Sequence, residues 1–444
     1  MDDDEETPLG ELARGFKNRT LVTAKLAAKL GSRYLKASVG MKGKTDAKAV
    51  RTAEELVREM GRLKGLVMKF GQIASYMPGA MSPEAQAMLA KLQSQSTPMV
   101  AELVARQVET ELGSPPEELF ESFETKPFAA ASIGQVHRAR FEGREVAVKV
   151  QYPGIEELVE SDLDTVGLLA RLSAVGTAID GKAVARELRA RLIEECDYRI
   201  EARSQRLFAE LWRRDSARRV PEVVDARSTK RVLTSELSQG QGFHAFARSA
   251  TTELRDRTGV ILFDTCFSTL FGHAVYNADP HPGNYLVHED GAVTFLDYGC
   301  VRWFEPAMID VWKRVALSVL DEKKDEFREA YIELGLGTRG KFDWDHQWKI
   351  MLYLYRPFMQ KEPFTYTNEY VRESYELLLL KNPNRMRTGL PPEWLFLNRL
   401  QWGLNAVLAE LRATGPWPEI WRRAVESKTE PVPRGGQQVG KQAR

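Results

Sequence analysis

The feature that most constrains this chain is an aspartate followed five positions later by asparagine, Asp279-Pro-His-Pro-Gly-Asn284, and then a second aspartate in Asp297-Tyr-Gly299. Between the two lie short strand-like runs at 285–287 and 292–296, flanking the turn His288-Glu289-Asp290-Gly291. Asp-Pro and Gly-Asn are each ordinary turn chemistry. Turn chemistry accounts for either piece, but not for both at this spacing. An oxygen-rich set of this kind suits magnesium, which neutralises charge as a phosphoryl group is transferred.

The partner signal is Val146-Ala-Val-Lys149-Val150, on the second of two strand-like runs (133–141 and 144–151) joined by Glu142-Gly143. Lysine at an otherwise apolar strand position is costly to bury unless an anion meets it. Alone it reads as a solvated edge lysine; beside the downstream aspartates it reads as a phosphate contact. Protein kinases space their catalytic-loop Asp and Asn in this way. Their Asp-Phe-Gly supplies the main metal ligand, and their Val-Ala-Ile-Lys strand meets ATP and a helix glutamate. Here Asp297 takes the Asp-Phe-Gly place and Asn284 the second metal. Where a kinase has a glycine-rich loop, this chain has Ala129-Ala130-Ala131-Ser132-Ile133-Gly134. Alanine resists the positive φ angles that let backbone approach phosphate.

At 444 residues the chain is too long for one core of ordinary size. Residues 1–47 read as a flexible start. Within it, 21–37 form an amphipathic stretch read as a helix docking on the body, with a membrane-surface helix as the alternative. Residues 48–125 read as a helical extension. Leu56, Met60, Leu63, Val67 and Phe70 draw one apolar stripe ending at Pro78. Ser82-Pro83 and Thr97-Pro98 then mark helix starts, and Gly113 closes the second. Residues 126–240 carry strands, with helical periodicity from Ile155 to about Arg214, interrupted near Gly176–Gly181, and further strands at Val220–Val224 and Arg231–Leu237. Gly240 and Gly242 mark a joint. Residues 241–427 are helix-rich, and six tryptophans between Trp344 and Trp421 read as core. Residues 428–444 read as a disordered tail. This order suits an α+β, two-lobed nucleotide-binding fold with its site in the cleft.

Composition excludes several classes. A net charge of +1 gives no overall electrostatic case for a nucleic-acid partner. Cys196, Cys266 and Cys300 show neither metal-ligand spacing nor a disulfide framework, so a reducing compartment is expected. The opening Met-Asp-Asp-Asp-Glu-Glu is the reverse of a secretory leader. No run of about 18 uncharged apolar residues occurs. The reading is cytoplasmic, with peripheral contact at the inner face of a membrane left open.

Several landmarks together resemble the UbiB/AarF family of atypical kinases. Pro127-Phe-Ala-Ala-Ala-Ser-Ile-Gly-Gln-Val-His137 is similar to its alanine-rich loop, Lys69-Phe-Gly-Gln72 to its Lys-x-Gly-Gln motif and Glu195-Cys-Asp197 to its Glu-x-Asp motif. Asp279-Pro-His-Pro-Gly-Asn284 is a further marker, and the order is the family's. The resemblance implies a protein-kinase-like fold with a family-specific N-terminal helical extension. It implies that Lys149 contacts the α/β-phosphates of ATP and pairs with Glu201, and that Ala129–Ser132 and the hinge Glu236-Leu237 border the nucleotide. Asp279 becomes the catalytic-loop acid, and Asn284 and Asp297 hold Mg2+. Lys69, Gln72, Glu195 and Asp197 become regulatory, with Lys69 reaching Glu195 and its helix covering the substrate groove. Glu195 and Glu201, six residues apart, would point to different sides of one helix. Asn277 stands where the family often has histidine, which should weaken local packing. Members with paired transmembrane helices at the end are not matched here.

The expected activity is Mg-ATP binding with slow hydrolysis, coupled by resemblance alone to an isoprenoid lipid, its biosynthetic enzymes or quinone synthesis. A small-molecule phosphotransferase and a non-catalytic nucleotide-binding scaffold are the alternatives.

Overall fold

The computed structural model describes residues 99–131, 133–157, 186, 189–190, 193–336, 341–384, 387–388 and 394–434. The helices expected over 21–37, 48–78 and from Ser82, together with Lys69, Gln72 and Ser132, lie outside them.

Helix α1 (Ala101–Leu112) ends as expected at Gly113, whose left-handed φ of 86° lets its N–H reach the Glu109 carbonyl. It starts later than the Thr97-Pro98 signal, because Val100 is extended at the N-cap. Next come β1 (Ser122–Phe123), β2 (Ala129–Ala131), β3 (Gly134–Phe141), β4 (Arg144–Gln151), α2 (Tyr198–Leu211), β5 (Arg218–Arg219) and β6 (Val232–Glu236). β1 and β2 share one edge of β3, and β3–β4–β6 run antiparallel beyond it. Strand alternation sets the two faces of β4. Val146, Val148 and Val150 are buried against Val104 and Val108 of α1, each burial worth about 1.5–3 kcal/mol. Lys149 and Gln151 therefore face the other way, toward α2.

Beyond the joint, β7 (Gln241–Gly242) and α3 (Phe243–Ser249) lead into α4 (Thr252–His273), which Thr251 caps. Strands β8 (Val275–Asn277), β9 (Tyr285–Val287), β10 (Val293–Phe295) and β11 (Val301–Trp303) come next. β9 and β10 form the expected hairpin, flanked by β5 and β7, while β8 pairs with β11. The rest is helical: α5 (Pro306–Leu320), α6 (Lys324–Glu333), α7 (Trp344–Met359), β12 (Phe364–Thr365), α8 (Asn368–Tyr375), α9 (Trp394–Leu411), β13 (Thr414–Gly415) and α10 (Trp417–Glu426). Of the tryptophans whose side chains are described, Trp417 and Trp421 belong to the core, Trp344 and Trp348 pack half-buried against it, and Trp402 is half-buried beside Tyr375. Trp417 is fully buried, and Trp421 stacks on Phe358 at 4.3 Å between ring centroids. No described helix is long and apolar enough to cross a membrane.

Three expectations are corrected. The strand read at Val220–Val224 is reduced to a single bridge, Val223 to Ser235, flanked by the Val224 N–H to the Thr234 carbonyl at 2.9 Å, while the Pro221 carbonyl is taken by the Gln205 side-chain amide at 2.6 Å. The break expected near Gly176–Gly181 lies outside the described residues, but helical structure also breaks where none was expected: a turn at Cys196 interrupts it and Asp197 begins α2 afresh. Glu195 and Glu201 thus sit on separate segments rather than on two sides of one helix. Finally, residues 428–434 are not a loose tail. The Glu430 N–H donates to the Gly272 carbonyl at 2.7 Å, and Lys313 Nζ donates to the Ser427 carbonyl at 2.5 Å and to Thr429 Oγ1 at 2.7 Å.

Candidate active site

Asp197 fixes the start of α2. Its side chain accepts from the Arg199 N–H at 3.0 Å, the usual N-cap bond, and also from the Arg199 guanidinium at 2.9 and 2.7 Å. Burial raises its pKa, but the Arg199 bonds outweigh that and hold it below the usual carboxylate range. From that cap, one turn of helix carries Glu201 to Lys149. Lys149 Nζ donates to Glu201 Oε1 at 2.9 Å and Oε2 at 2.8 Å, and Asp297 Oδ2 lies at 3.6 Å. The ring of Tyr198 sits beneath the same ammonium, 5.0 Å from centroid to Nζ. Two residues on from Lys149, on the same face of β4, Gln151 donates to the Cys196 carbonyl at 3.0 Å. Strand and helix are thereby pinned at two points. The lysine that seemed costly to bury has its anions from the protein itself.

The charge balance reflects this geometry. Burial opposes the charge on Lys149, but Asp297 and Glu201 together prevail and hold its ammonium above the usual lysine range. The Glu201 side chain is 6% exposed and that of Asp297 is 31% exposed, so one acid is committed to the lysine and the other still faces the cleft.

The two acidic loops are joined by a residue whose role the sequence did not reveal. Asn277 Nδ2 donates to the Asp297 carbonyl at 2.6 Å, and its Oδ1 accepts from the Asp279 N–H at 3.2 Å. Expected to weaken packing, Asn277 instead ties both loops together from the end of β8. Asn284 Nδ2 donates to the Asp279 carbonyl at 3.2 Å, and Asp297 Oδ1 accepts from the Gly299 N–H at 2.8 Å. Lys149, Glu195, Asp197, Glu201, Asp279 and Asp297 all line one cleft, along with Tyr198 and Cys300. Asn284 is adjacent through Asp279 rather than in the lining.

The remaining expected residues sit at the borders. Ala129–Ala131 form β2, paired with 134–136, not a loop of positive φ. Gly134 is demanded by close approach, since a Cβ there would collide with the Val150 carbonyl. Glu236 ends β6, and the Leu237 N–H donates to the Glu145 carbonyl at 3.0 Å, continuing that edge toward the joint. Glu195 lines the cleft, but its expected partner Lys69 is not among the described residues.

Among the described residues, no three His, Cys, Asp or Glu side chains converge as a closed metal cage. Magnesium seldom uses one. It takes one or two carboxylates and leaves its other positions to water and phosphate oxygens. Asp297, with the Asn284 amide oxygen left by its Nδ2 bond, offers hard oxygens of that kind.

Comparison with known proteins identifies the family. The family model described as the ABC1 atypical kinase-like domain matches residues 91–331. The chain is 30% identical over 374 residues to the mitochondrial atypical kinase coq-8 of Caenorhabditis elegans, covering 82% of this chain and 49% of that one. It is also 30% identical to the mitochondrial atypical kinase COQ8B of Rattus norvegicus, covering 81% of this chain and 69% of that one. This chain thus spans about half to two thirds of the length of these relatives. Among solved structures, the complex of Rv3197 with erythromycin from Mycobacterium tuberculosis is similar, with a TM-score of 0.63 and 29% identity. The match covers 87% of this chain and all of that one. With its motifs in family order and its lysine, glutamate and aspartates gathered in one cleft, the chain belongs to the UbiB/AarF family of ABC1 atypical kinase-like proteins.

Proposed function

We propose that this protein binds Mg-ATP in the cleft between its lobes and hydrolyses it slowly, in support of isoprenoid lipid or quinone metabolism. The observation that carries the nucleotide half is the Lys149 ammonium, held between Glu201 at 2.8 Å and Asp297 at 3.6 Å in a cleft that also takes in Asp279. A lysine positioned by an acid of α2 is ready to meet the α/β-phosphates. Asp297, with Asn284, would hold magnesium, which when bound supplies charge neutralisation to the phosphates. Asp279, kept in place by Asn277, orients the attacking water or hydroxyl. The lipid half comes from the family and from the relatives' names, not from the cleft.

Slow turnover has its own support. The backbone of Ala129–Ala131 is engaged with β3, so it offers fewer free N–H groups to the phosphates than a glycine-rich loop does. The same feature favours, as a second reading, a scaffold that binds nucleotide without turning it over.

The test is phosphate release from ATP by purified protein with magnesium, with and without anionic liposomes, beside Asp297→Asn. Release that liposomes raise and the substitution removes is the expected outcome. Bound ATP with no release in either condition would establish the scaffold reading.

A further inference from the structure

Helix α9 lies downstream of the 91–331 region that the family model matches, yet it touches the catalytic loop. Gly403, on α9, faces Pro280, the residue directly after Asp279. A Cβ built on Gly403 would lie 2.5 Å from Pro280 Cγ and 3.4 Å from the Pro280 carbonyl oxygen. Real Cβ atoms do not approach carbon so closely, so any side chain at 403 must move either the helix or the loop. The helix is the less free of the two. Leu404, Val407, Leu408 and Leu411 are buried within the core. Trp402 packs edge-on to Tyr375 at 5.7 Å, and Glu410 Oε1 is 2.6 Å from His244 Nδ1. Pro280 is buried too, but it opens a loop held by its own short bonds: the His281 N–H to the Asp279 carbonyl at 2.8 Å and the Asn284 N–H to the His281 carbonyl at 2.9 Å.

We infer that Gly403 is a positioning residue: α9 is a buttress against which Pro280 rests, and that contact sets where Asp279 and Asn284 stand in the cleft. The inference rests on the reading of Asp279 and Asn284 given above. Glycine inside a helix is disfavoured against alanine on propensity alone, so the residue at 403 answers to the neighbour and not to the helix. The contact does not involve Lys149 or the β6 hinge, and it reaches the nucleotide only through Asn284, so its larger effect is on turnover and its smaller one on nucleotide affinity.

Gly403→Ala should lower kcat for phosphate release by about tenfold or more, since sub-ångström displacement of a catalytic group is enough to do so. The KM for ATP should stay within about threefold. In a Pro280→Ala background, whatever its own rate, the ring that the new methyl would strike is gone. There the same substitution should cost less than about twofold. Amide hydrogen exchange across 281–284 should rise in Gly403→Ala and return toward its starting level in the double variant. Wild-type kcat and exchange in Gly403→Ala would overturn the inference, and so would an equal loss of kcat in both backgrounds. If the unsubstituted protein releases no phosphate, the hydrolytic reading falls, and exchange at 281–284 still decides whether α9 supports the loop.

Discussion

Lys149 is buried with one acid nearly out of solvent and a second within 3.6 Å. Removing the cation while leaving Glu201 in place is therefore more damaging than removing both. Lys149→Met should abolish phosphate release and destabilise the nucleotide-free protein by about 3–5 kcal/mol, the usual consequence of orphaning a buried charge. Pairing it with Glu201→Met should recover much of the melting temperature and none of the activity. Because the ammonium is held above the usual lysine range, its contribution to stability is complete below about pH 10.4 and is lost only as pH rises beyond that. Any titration of stability near neutrality must come from elsewhere. Lys149, Glu201, Asp279 and Asp297 were legible in the sequence because each stands in a short motif and the order of the motifs is informative. Asn277, Tyr198 and Gly403 were not. Their importance lies in which distant backbone or ring they meet, and spacing along the chain carries no trace of that.

At the scale of elements, the buried link between the alanine-rich segment and the start of α1 makes a sharper statement than either element alone. Gln135 Oε1 accepts from the Met99 N–H at 2.8 Å, and Gln135 Nε2 is 2.9 Å from His137 Nε2. His137 Nδ1 is 2.8 Å from the Glu124 carbonyl, and Phe123 stacks on the imidazole at 5.1 Å. The network requires Nδ1 to carry the proton and Nε2 to accept. Burial lowers the pKa of His137, more than the Glu124 carbonyl raises it. A histidine lowered in the fold contributes stability that is present above its unfolded value near 6.5 and is lost as pH falls below that. The melting temperature should therefore fall between pH 7 and pH 5. His137→Phe, which keeps the ring, should lower the value at pH 7 and flatten that dependence. The same elements mark where sequence reading reached its limit. The strands of the β3–β4 hairpin were plain from alternation, whereas the break before α2 hid inside a run of helix-forming residues. Only the cap at Asp197, a tertiary and local matter together, reveals it.

At the scale of the molecule, two lobes meet around one cleft, so a ligand that bridges them stabilises the whole by mass action. Mg-ATP at a hundred times its dissociation constant should add about 2.7 kcal/mol, read as a rise in melting temperature. ATP without magnesium should give a smaller rise, and Asp297→Asn should make the two rises equal. An unchanged melting temperature with Mg-ATP in the unsubstituted protein would count against nucleotide binding altogether. The lobes themselves were readable as a change from strand-rich to helix-rich texture. What the sequence concealed was how far the last residues reach back. Lys313 is 8% exposed, and its ammonium spends its hydrogen bonds on Ser427 and Thr429. Anyone shortening the chain for expression should therefore keep it at least through Glu430, whose N–H is also bonded to the body. A cut at Val425 removes both acceptors at once and leaves the Lys313 ammonium with Asp310 as its remaining counter-charge, and a protein trimmed there to aid crystallisation would come out less stable.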